Sequence, residues 1–409
     1  MFNYKKSYFR FLQLIKKKKY QNYELSYFDF FQKILKISEK KKNSFFYLLK
    51  NLVLIILSFL TIIKIFFKQS ITGANYFIIK KNNNSYIDPR SEYYLKKKKL
   101  NSHLNFVKSE TFTESIKIYF FYPNIIFIFS FKYFIKNIFF NKKNLTFQEI
   151  HTQNKYFFYI IKKIFSLLKI KQIHMIDDYR IMPLIVKICN ELKINCIGYS
   201  HGRISKYSIS HIFFKFDKYY VWSKYLKKKL LDLNSKYKSK DIVVNYKIKY
   251  NKKLYTQLIL KKNSVPINLL FVLDKELNEI TVIKIIKNIH KEKNINLIIK
   301  LRPNENPLGE IINFCKKYKI KYFYQENIYE IILKERINFL MSTSSTMLLE
   351  ASLMKIYPLM LVTKNEYSSE MIDDKVVFPI YHLNNFYSQI KKIKNNSFKF
   401  NEIYKNAWN

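Results

Sequence analysis

The chain has 409 residues, which is enough for two domains of ordinary size and additional helical material. Its formal net charge of +45 would suit nucleic acid or an anionic membrane, but lysines are scattered through nearly every segment and no RNA-binding motif of basic and stacking residues occurs. Abundant Lys, Asn, Ile, Phe and Tyr with 4 Gly indicate a base-composition bias, so the charge indicates a solvated surface or attraction to anionic lipid, and we predict no nucleic-acid partner.

Residues 1–95 are predicted to form a helical, membrane-proximal region, because aromatic and Lys residues alternate there at helical spacing. Within it, residues 52–63 (LVLIILSFLTII) carry no charge, yet Lys50 and Lys64 bracket them, and a spanning helix needs about 20 apolar residues. If these lysines snorkel, the apolar stretch covers residues 45–67. A single transmembrane helix, an in-plane interfacial helix and a buried core helix all remain open, and the flanking lysines favour the two membrane interpretations.

The cellular compartment is predicted from two features. The three cysteines show no CxxC spacing and are too few to staple a chain of this length, which favours a reducing environment. The first 25 residues are rich in charged and aromatic side chains and lack a small-residue cleavage site, so no secretory signal is predicted. We expect a cytoplasmic protein that is peripheral on the cytoplasmic face of the inner membrane.

A first α/β domain is predicted over residues 96–260, where short apolar runs alternate with amphipathic stretches from about residue 112. The pattern is clearest from Gln172, with strands at residues 172–176, 195–199 and 217–222 separated by helices. Ligands bind at the carboxyl ends of the strands in such a sheet. The polar residues that follow the first two strands are Asp177 and Asp178, and Ser200, His201, Gly202 and Arg203.

His201, Asp177 and Asp178 are the candidate catalytic residues. Adjacent carboxylates can divide roles, and a neighbouring charge raises the pKa of one of them toward the range of a general base. His201 ends a strand and precedes a Gly, where the backbone can approach a substrate, so it is also a candidate base. A purely structural, hydrogen-bonded His remains the alternative. Arg203 is a candidate for donor binding, and none of the other histidines has comparable neighbours in the sequence.

A second α/β domain is predicted over residues 261–409, after a polar, Lys-rich connection over residues 249–266. Its strands are predicted at residues 268–274, 296–301, 320–324, 337–341 and 356–361, with one more unit around residues 376–393. No GxxxxGK phosphate loop occurs in the sequence, which argues against a nucleotide-hydrolysing motor. No His/Cys/Asp cluster shows metal-ligand spacing, so we predict a metal-independent site.

Five hydroxyl side chains follow the strand that ends at Met341 and precede the amphipathic stretch MLLEASL. A helix start presents unpaired backbone N–H groups and the positive end of the helix dipole, and hydroxyls add donors, which is typical of phosphate binding. One helix cap would explain one hydroxyl rather than five. We therefore predict that Ser344, Ser345 and Thr346 bind the phosphates of a donor. Glu350, one turn into the helix, either binds a ribose or is a solvated helix residue.

A second anion site is predicted at Arg302, which precedes Pro303 at the end of the strand NLIIK. Pro303 ends the strand because it lacks a backbone donor, and this leaves Arg302 at the carboxyl edge of the sheet. A guanidinium there can clamp a diphosphate with two hydrogen bonds. A surface Arg at a strand end is the alternative.

Four segments in order carry a resemblance to a known group: IDDYR, GYSHGR with DKYYVWS after it, IIKLRPNE, and STSSTMLLEA. Here the chain resembles bacterial surface-polysaccharide glycosyltransferases of the GT-B type, a group that includes capsule, sialic-acid and teichoic-acid-type transferases. In that group a strand ends in His-Pro and a later hydroxyl cluster grips the donor phosphates. Arg302 stands at the His position, and because Arg does not titrate usefully, a role as proton donor is not implied for it.

The resemblance implies an α/β, GT-B-like fold in which two Rossmann-like domains face a cleft, with the helical region as an addition. Residues 96–260 would be the acceptor domain and residues 261–409 the nucleotide-donor domain. The implied activity is transfer of a sugar from a nucleotide-activated donor to a surface polysaccharide or lipid-linked glycan acceptor, with no cofactor besides that substrate. Two alternatives remain open: transfer of glycerol- or ribitol-phosphate from a CDP donor, and a non-enzymatic basic peripheral membrane protein.

Overall fold

Two parallel β-sheets organise the chain in a computed structural model. The first belongs to a unit made of Lys6–Trp222 and Lys227–Ile248, and the second to a unit made of Met1–Lys5, Ser223–Leu226 and Lys249–Asn409. The structure describes residues 4–35, 45–68, 73–82, 85–87, 102–109, 112–140, 144–177, 181–245, 267–274, 277–302, 309–362 and 366–408.

The first sheet has eight strands in the order β4-β3-β1-β5-β6-β7-β8, with β2 paired antiparallel to β1 and all other pairs parallel. The strands are β1 (Ala74–Asn82), β2 (Ser85–Ile87), β3 (Leu104–Ser109), β4 (Ile125–Ile126), β5 (Gln172–Ile176), β6 (Asn195–Tyr199), β7 (Lys218–Val221) and β8 (Ile242–Val244). The chain moves outward from β1 to β4 and then returns to β5 on the other side of β1.

Nine helices accompany this sheet among the described residues. They are α1 (Tyr4–Lys16), α2 (Tyr27–Ile34), α3 (Phe45–Lys68), α4 (Phe112–Phe121), α5 (Ile128–Phe139), α6 (Phe147–Leu167), α7 (Met182–Leu192), α8 (Ile209–Phe213) and α9 (Lys224–Leu233). The sequence determines some of their ends directly. Thr146 and Glu149 form a capping box at the start of α6, and the hydroxyl of Ser223 accepts a hydrogen bond from the Leu226 N–H at the start of α9.

The prediction of helices alone through residue 95 is wrong at β1 and β2. Strand β1 lies in the middle of the first sheet, between β3 and β5, although it comes from the segment predicted to be helical. A strand that is buried on both faces needs no alternation of polar and apolar residues, so the short run in ANYFIIKKN resembled the helical pattern before it.

The second sheet has six parallel strands in the order β11-β10-β9-β12-β13-β14. The strands are β9 (Ile267–Val272), β10 (Ile295–Lys300), β11 (Lys321–Phe323), β12 (Phe339–Ser342), β13 (Tyr357–Leu361) and β14 (Phe378–Ile380), close to the predicted ranges. The helices are α10 (Glu279–His290), α11 (Gly309–Lys317), α12 (Ile328–Lys334), α13 (Met347–Leu353), α14 (Glu366–Asp373), α15 (Phe386–Asn395) and α16 (Ser397–Trp408). All six residues of β9 are buried, as expected for a central strand.

Both sheets have the doubly wound order of a Rossmann-like fold. In the second sheet the direction of winding reverses between β9 and β12, and in the first it reverses between β1 and β5. At such a reversal the loops that follow the two strands diverge and leave a crevice, which is where ligands bind in open α/β sheets. The residues that follow β5 in the first unit, and β9 and β12 in the second, are therefore candidates for ligand binding.

Candidate functional site

The first unit gathers three polar side chains around Asp177, which directly follows β5. The Asp177 carboxylate is buried, with 1% of the side chain exposed. Its Oδ1 accepts a hydrogen bond from the His201 backbone N–H at 2.8 Å and contacts the ring Nδ1 of His201. Its Oδ2 accepts a hydrogen bond from the Tyr219 hydroxyl at 2.5 Å and lies 3.3 Å from Nε2 of His211. These four residues form the Asp177 cluster.

Three neighbouring strands bring the Asp177 cluster together. Asp177 follows β5, His201 follows the adjacent β6, and Tyr219 lies in β7 beyond it. Gly198 in β6 makes this possible, because the ring of Phe216 lies 2.3 Å from the position that a Cβ atom would occupy. The Phe216 ring then packs against Tyr219 at 5.0 Å and holds its hydroxyl toward the carboxylate.

Electrostatics keep Asp177 ionised. Burial alone would raise the pKa of its carboxyl, but the charges and hydrogen bonds of His201 and His211 outweigh burial, and the net pKa lies well below the usual range. Because Asp177 accepts at Nδ1 of His201, Nδ1 is the nitrogen that carries a proton and Nε2 is the basic nitrogen. The His201 side chain is 20% exposed, so solvent or a substrate can reach it. An oriented histidine of this kind can take a proton from a hydroxyl.

Of the other residues predicted near this edge, Arg203 is buried and Asp178 lies outside the described residues. The loop between His201 and Arg203 is held by the hydroxyl of Ser200, which donates to the Gly202 carbonyl at 3.0 Å and accepts from Trp222 Nε1 at 3.3 Å. The loop that carries His201 is thereby tied to the end of β7.

The second unit has a different arrangement around Asp274, which follows β9. Its Oδ2 accepts hydrogen bonds from the Ser344 N–H at 2.8 Å, from the hydroxyls of Ser342 and Ser344 at 3.3 Å each, and from the hydroxyl of Thr343. Ser342 also donates to the Val272 carbonyl at 2.8 Å. These contacts define the Asp274 cluster, and they join the loops after β9 and β12 at the point where the winding reverses.

Three of the five hydroxyls in the run therefore contact a carboxylate, and one of them, Ser344, is among the three hydroxyl residues predicted to bind phosphate. A phosphate at Ser344 would meet the negative charge of Asp274, so Ser344 is the weakest member of the predicted set. Ser345 and Thr346 lie outside this contact and are both partly exposed. The Ser345 hydroxyl accepts a hydrogen bond from the Met347 N–H at 3.2 Å at the start of α13, whereas Thr346 makes no side-chain cap bond to that helix.

Glu350 is not the solvated helix residue of the alternative interpretation. Its side chain is buried, and its Oε2 accepts a hydrogen bond from the hydroxyl of Tyr329 in α12. The interpretation as a ribose ligand stays a prediction.

Two cationic side chains lie at the end of β10. Arg302 is partly exposed, as a residue that clamps a ligand must be, and Pro303 lies outside the described residues. The buried amine of Lys300 donates to the carbonyls of Leu301 at 2.9 Å and Tyr324 at 2.8 Å. Burial lowers the pKa of Lys300 to about 8, partly opposed by the nearby charge of Glu326.

A cavity of about 360 Å³ opens beyond the carboxyl ends of β13 and β14. It is lined on one side by α10, on another by the ends of the two strands, and its polar groups include Thr281, Asn288 and Asn384. Within the described ranges, no group of three or more His, Cys, Asp or Glu side chains is arranged to hold a metal ion.

Three members of these clusters were not predicted from the sequence. His211 lies in the short helix α8, and the interpretation that no other histidine has comparable neighbours is wrong for it, because only the fold brings it to Asp177. Tyr219 was predicted as an ordinary strand residue. Asp274 could have been found, since an acidic residue directly after an apolar strand is the signal that identified Asp177.

A scan against models of known protein families finds no match for this chain, and a search of curated proteins finds no similar sequence. Solved structures are similar in fold. The Staphylococcus aureus MnaA–UDP co-structure is 11% identical and covers 83% of this chain and 92% of that chain, with a TM-score of 0.50. A putative UDP-N-acetylglucosamine 2-epimerase from Listeria monocytogenes is 11% identical, covers 83% and 93%, and has a TM-score of 0.50. At this identity the likeness shows the fold, which is the GT-B fold of two Rossmann-like domains.

Proposed function

We propose that this protein is a glycosyltransferase that moves a sugar from a nucleotide-activated donor to a surface-polysaccharide or lipid-linked glycan acceptor. The observation that carries the proposal is the pairing of buried Asp177 with partly exposed His201 after two adjacent strands of a Rossmann-like sheet. Nε2 of His201 takes the proton of the acceptor hydroxyl. The acceptor oxygen then bonds to the anomeric carbon of the sugar, and the bond from that carbon to the nucleoside diphosphate breaks with the electron pair leaving on the phosphate oxygen.

The proposed role of the second unit is to hold the donor. Ser345, Thr346 and Arg302 are the proposed phosphate ligands, because all three are partly exposed and follow β12 or β10 at the carboxyl edge of the sheet. Ser344 drops to a supporting role, since Asp274 already accepts from both its N–H and its hydroxyl. The cavity beside α10 is lined by apolar side chains such as Ile285 and Leu361 and by polar ones that include Thr281, Asn288 and Asn384, which suits a nucleoside.

UDP is the first nucleotide to test, because one structure of the same fold is a UDP complex. We propose a thermal-shift panel with UDP, CDP, CMP, GDP and TDP on the whole protein. A ligand at about 100 times its dissociation constant adds about 2.7 kcal/mol to the free energy of unfolding. We expect one nucleotide to raise the melting temperature, and the Ser345→Ala/Thr346→Ala variant to lose most of that shift.

The matched control is Ser388→Ala/Ser397→Ala, which removes two exposed hydroxyls from helices α15 and α16 of the same unit. It should keep the full shift. If no nucleotide shifts the protein, or if both double variants respond like the wild type, the donor site is not where we propose it.

An activity assay separates the proposed function from its alternatives. The protein is incubated with labelled nucleotide sugars, with CDP-glycerol and CDP-ribitol, and with a bacterial lipid and glycan fraction as acceptor. Sugar in the acceptor supports the proposal, and polyol phosphate in the acceptor supports the CDP-donor alternative. Epimerisation of UDP-N-acetylglucosamine without acceptor would indicate the activity named for the Listeria neighbour. No turnover of any donor supports the non-enzymatic alternative.

A further inference from the structure

Helix α3 has two largely apolar faces, and only one of them is buried against the rest of the first unit. The buried side chains recur along nearly its whole length and include three polar ones: Asn51, Leu54, Ile55, Ser58, Thr61 and Ile65. Each polar side chain on this face has a hydrogen bond. Asn51 donates to the Tyr47 carbonyl at 2.7 Å, Ser58 to the Leu54 carbonyl at 2.7 Å, and Thr61 to the Leu57 carbonyl at 3.0 Å.

This inner face is part of the first unit's core. Leu54 packs in a cluster with side chains from β1, β3, α4 and β4: Phe77, Val107, Ile118, Ile125 and Phe127. The Ser58 hydroxyl accepts a hydrogen bond from the backbone N–H of Phe127 at 2.9 Å, just beyond the edge strand β4. α3 is therefore fixed against the edge of the first sheet and does not stand apart from the domain.

The outer face of α3 is exposed and apolar. Ten large side chains are each between 40% and 80% exposed: Phe45, Phe46, Leu49, Leu52, Ile56, Phe59, Leu60, Ile63, Phe66 and Phe67. Soluble proteins rarely expose a continuous row of this kind, and such a row marks a binding surface. We call it the α3 outer face.

The two helices that pack against α3 also expose apolar side chains. α4 and α5 pack against it and end in exposed apolar residues, namely Phe120, Phe121, Ile138 and Phe139. The three helices together carry six Lys and one Glu. An apolar surface with an excess of cations is complementary to an anionic lipid bilayer, where side chains enter the acyl boundary and lysines meet the headgroups.

We propose that α3 is an in-plane membrane anchor, with its outer face immersed in the interface of an anionic bilayer and its inner face held by the first unit. A helix of 24 residues is about 36 Å long and would suffice to span a bilayer. If α3 crossed the bilayer, the contacts of Ser58 and Leu54 would place the edge strand β4 in the hydrocarbon. Open sheet edges do not occur there. This inference stands independently of the proposed glycosyl transfer.

The first test is flotation of the whole protein with phosphatidylcholine vesicles that contain or lack phosphatidylglycerol. Wild type should float with the anionic vesicles and be partly released by salt. The variant Ile56→Glu/Ile63→Glu alters two outer-face residues and should lower the partition coefficient roughly 100-fold, because two large side chains no longer enter the acyl boundary. The control Ile280→Glu/Phe398→Glu makes the same chemical change at two exposed positions of the second unit and should bind as wild type.

Thermal unfolding shows whether each variant is folded, and outer-face positions should leave the melting temperature nearly unchanged. Wild-type binding by Ile56→Glu/Ile63→Glu would overturn the proposal. The proposal would also be overturned if the wild type formed a dimer without lipid, the variant were monomeric, and vesicles left the wild-type dimer intact. The outer face would then be covered by a second copy of the chain.

A depth measurement distinguishes lying from spanning. Spin labels are attached to single cysteines introduced as Leu49→Cys, Ile56→Cys, Ile63→Cys and Phe67→Cys, while the native Cys189, Cys196 and Cys315 are buried and resist labelling. An in-plane helix predicts similar shallow depths at all four positions. A depth greatest near Ile56 and shallow at both ends would show a spanning helix and overturn the proposal.

Discussion

The two units each bring a carboxylate to the carboxyl edge of a Rossmann-like sheet, but they surround it differently. Asp177 in the first unit meets two histidine rings and a tyrosine hydroxyl. Asp274 in the second unit meets three hydroxyls and a backbone N–H. Asp177 therefore contacts imidazole rings, which can accept and donate protons in catalysis, whereas Asp274 contacts hydroxyls and a backbone N–H.

This difference separates a chemical role from an architectural one. Asp177 fixes the orientation and tautomer of His201, so its charge matters for proton transfer. Asp274 joins the loops after β9 and β12, so its charge matters for holding the donor loop in one conformation. Substitutions of Asp177 and Asp274 should therefore have different consequences.

The largest effect is expected on activity from Asp177→Asn. The amide keeps the size of the side chain but removes the charge that holds the tautomer of His201, so the rate of transfer should fall roughly 100-fold or more. Initial rates with saturating donor measure the effect. Asp274→Asn is the comparison variant and should retain far more activity; equal losses in both variants would remove the distinction.

The next largest effect is expected on stability from Asp274→Ala. Four donors from Ser342, Thr343 and Ser344 lose one acceptor, and buried unpaired donors cost about 1–3 kcal/mol. We expect a fall of about 2 kcal/mol in the free energy of unfolding of the second unit, measured by urea denaturation. A change within error would show that the loop after β12 is held by its own backbone contacts.

The pH dependence of stability should differ between the units. The lowered pKa of Asp177 stabilises the fold above the ordinary pKa of 3.8, and this contribution is lost as pH falls through the folded value. Asp177→Asn should therefore flatten the acid limb of the stability profile. The measurement is the urea midpoint from about pH 1.5 to pH 6, and an unchanged acid limb would contradict the ionised state of Asp177.

Lys300 should raise stability with pH as well, but in an alkaline window and in the second unit. Its pKa is lowered from 10.5 to about 8, so the unfolded chain binds more protons between these values and stability rises with pH across that window. Lys300→Met should remove this rise relative to wild type in urea midpoints taken between about pH 7 and pH 10. A variant that keeps the full rise would show that Lys300 titrates normally.

The smallest effect is expected from Tyr329→Phe, which removes the hydroxyl that donates to buried Glu350. The loss should be about 1–2 kcal/mol in the free energy of unfolding, since a buried carboxyl oxygen would lose its hydrogen-bond donor. If the loss of stability is absent while nucleotide affinity changes, Glu350 belongs to the donor site, as the sequence interpretation of a ribose ligand predicts.

Much of the fold could be predicted from the sequence, because strands such as QIHMI and NLIIK are short apolar runs between amphipathic helices. The structure confirms these strands and the Rossmann-like character of both sheets. Strand β1 could not be predicted, since a central strand without alternation resembles the apolar helix before it. α3 was predicted as one of three kinds of helix, and only its contacts with the core of the first unit separate an inner from an outer face.

The sequence predicts the residues that follow neighbouring strands, but not the contacts between residues from distant parts of the chain. Asp177 and His201 follow neighbouring strands, so their proximity follows from the rule for parallel sheets. His211 reaches Asp177 from a helix 34 positions along the chain, which no local pattern reports. The five hydroxyls of residues 342–346 were interpreted as available donors. Asp274, which accepts hydrogen bonds from three of these residues, lies 68 to 70 positions earlier in the chain, so no local pattern shows the contact.

The central claim is that His201, held by Asp177, is the base in a sugar-transfer reaction. The most direct measurement is the rate at which label passes from a nucleotide sugar to a lipid or glycan acceptor, for wild type and for His201→Gln. We predict transfer by the wild type and a loss of roughly 100-fold or more in the variant, with its nucleotide-induced thermal shift retained. Transfer by His201→Gln at the wild-type rate would contradict the claim.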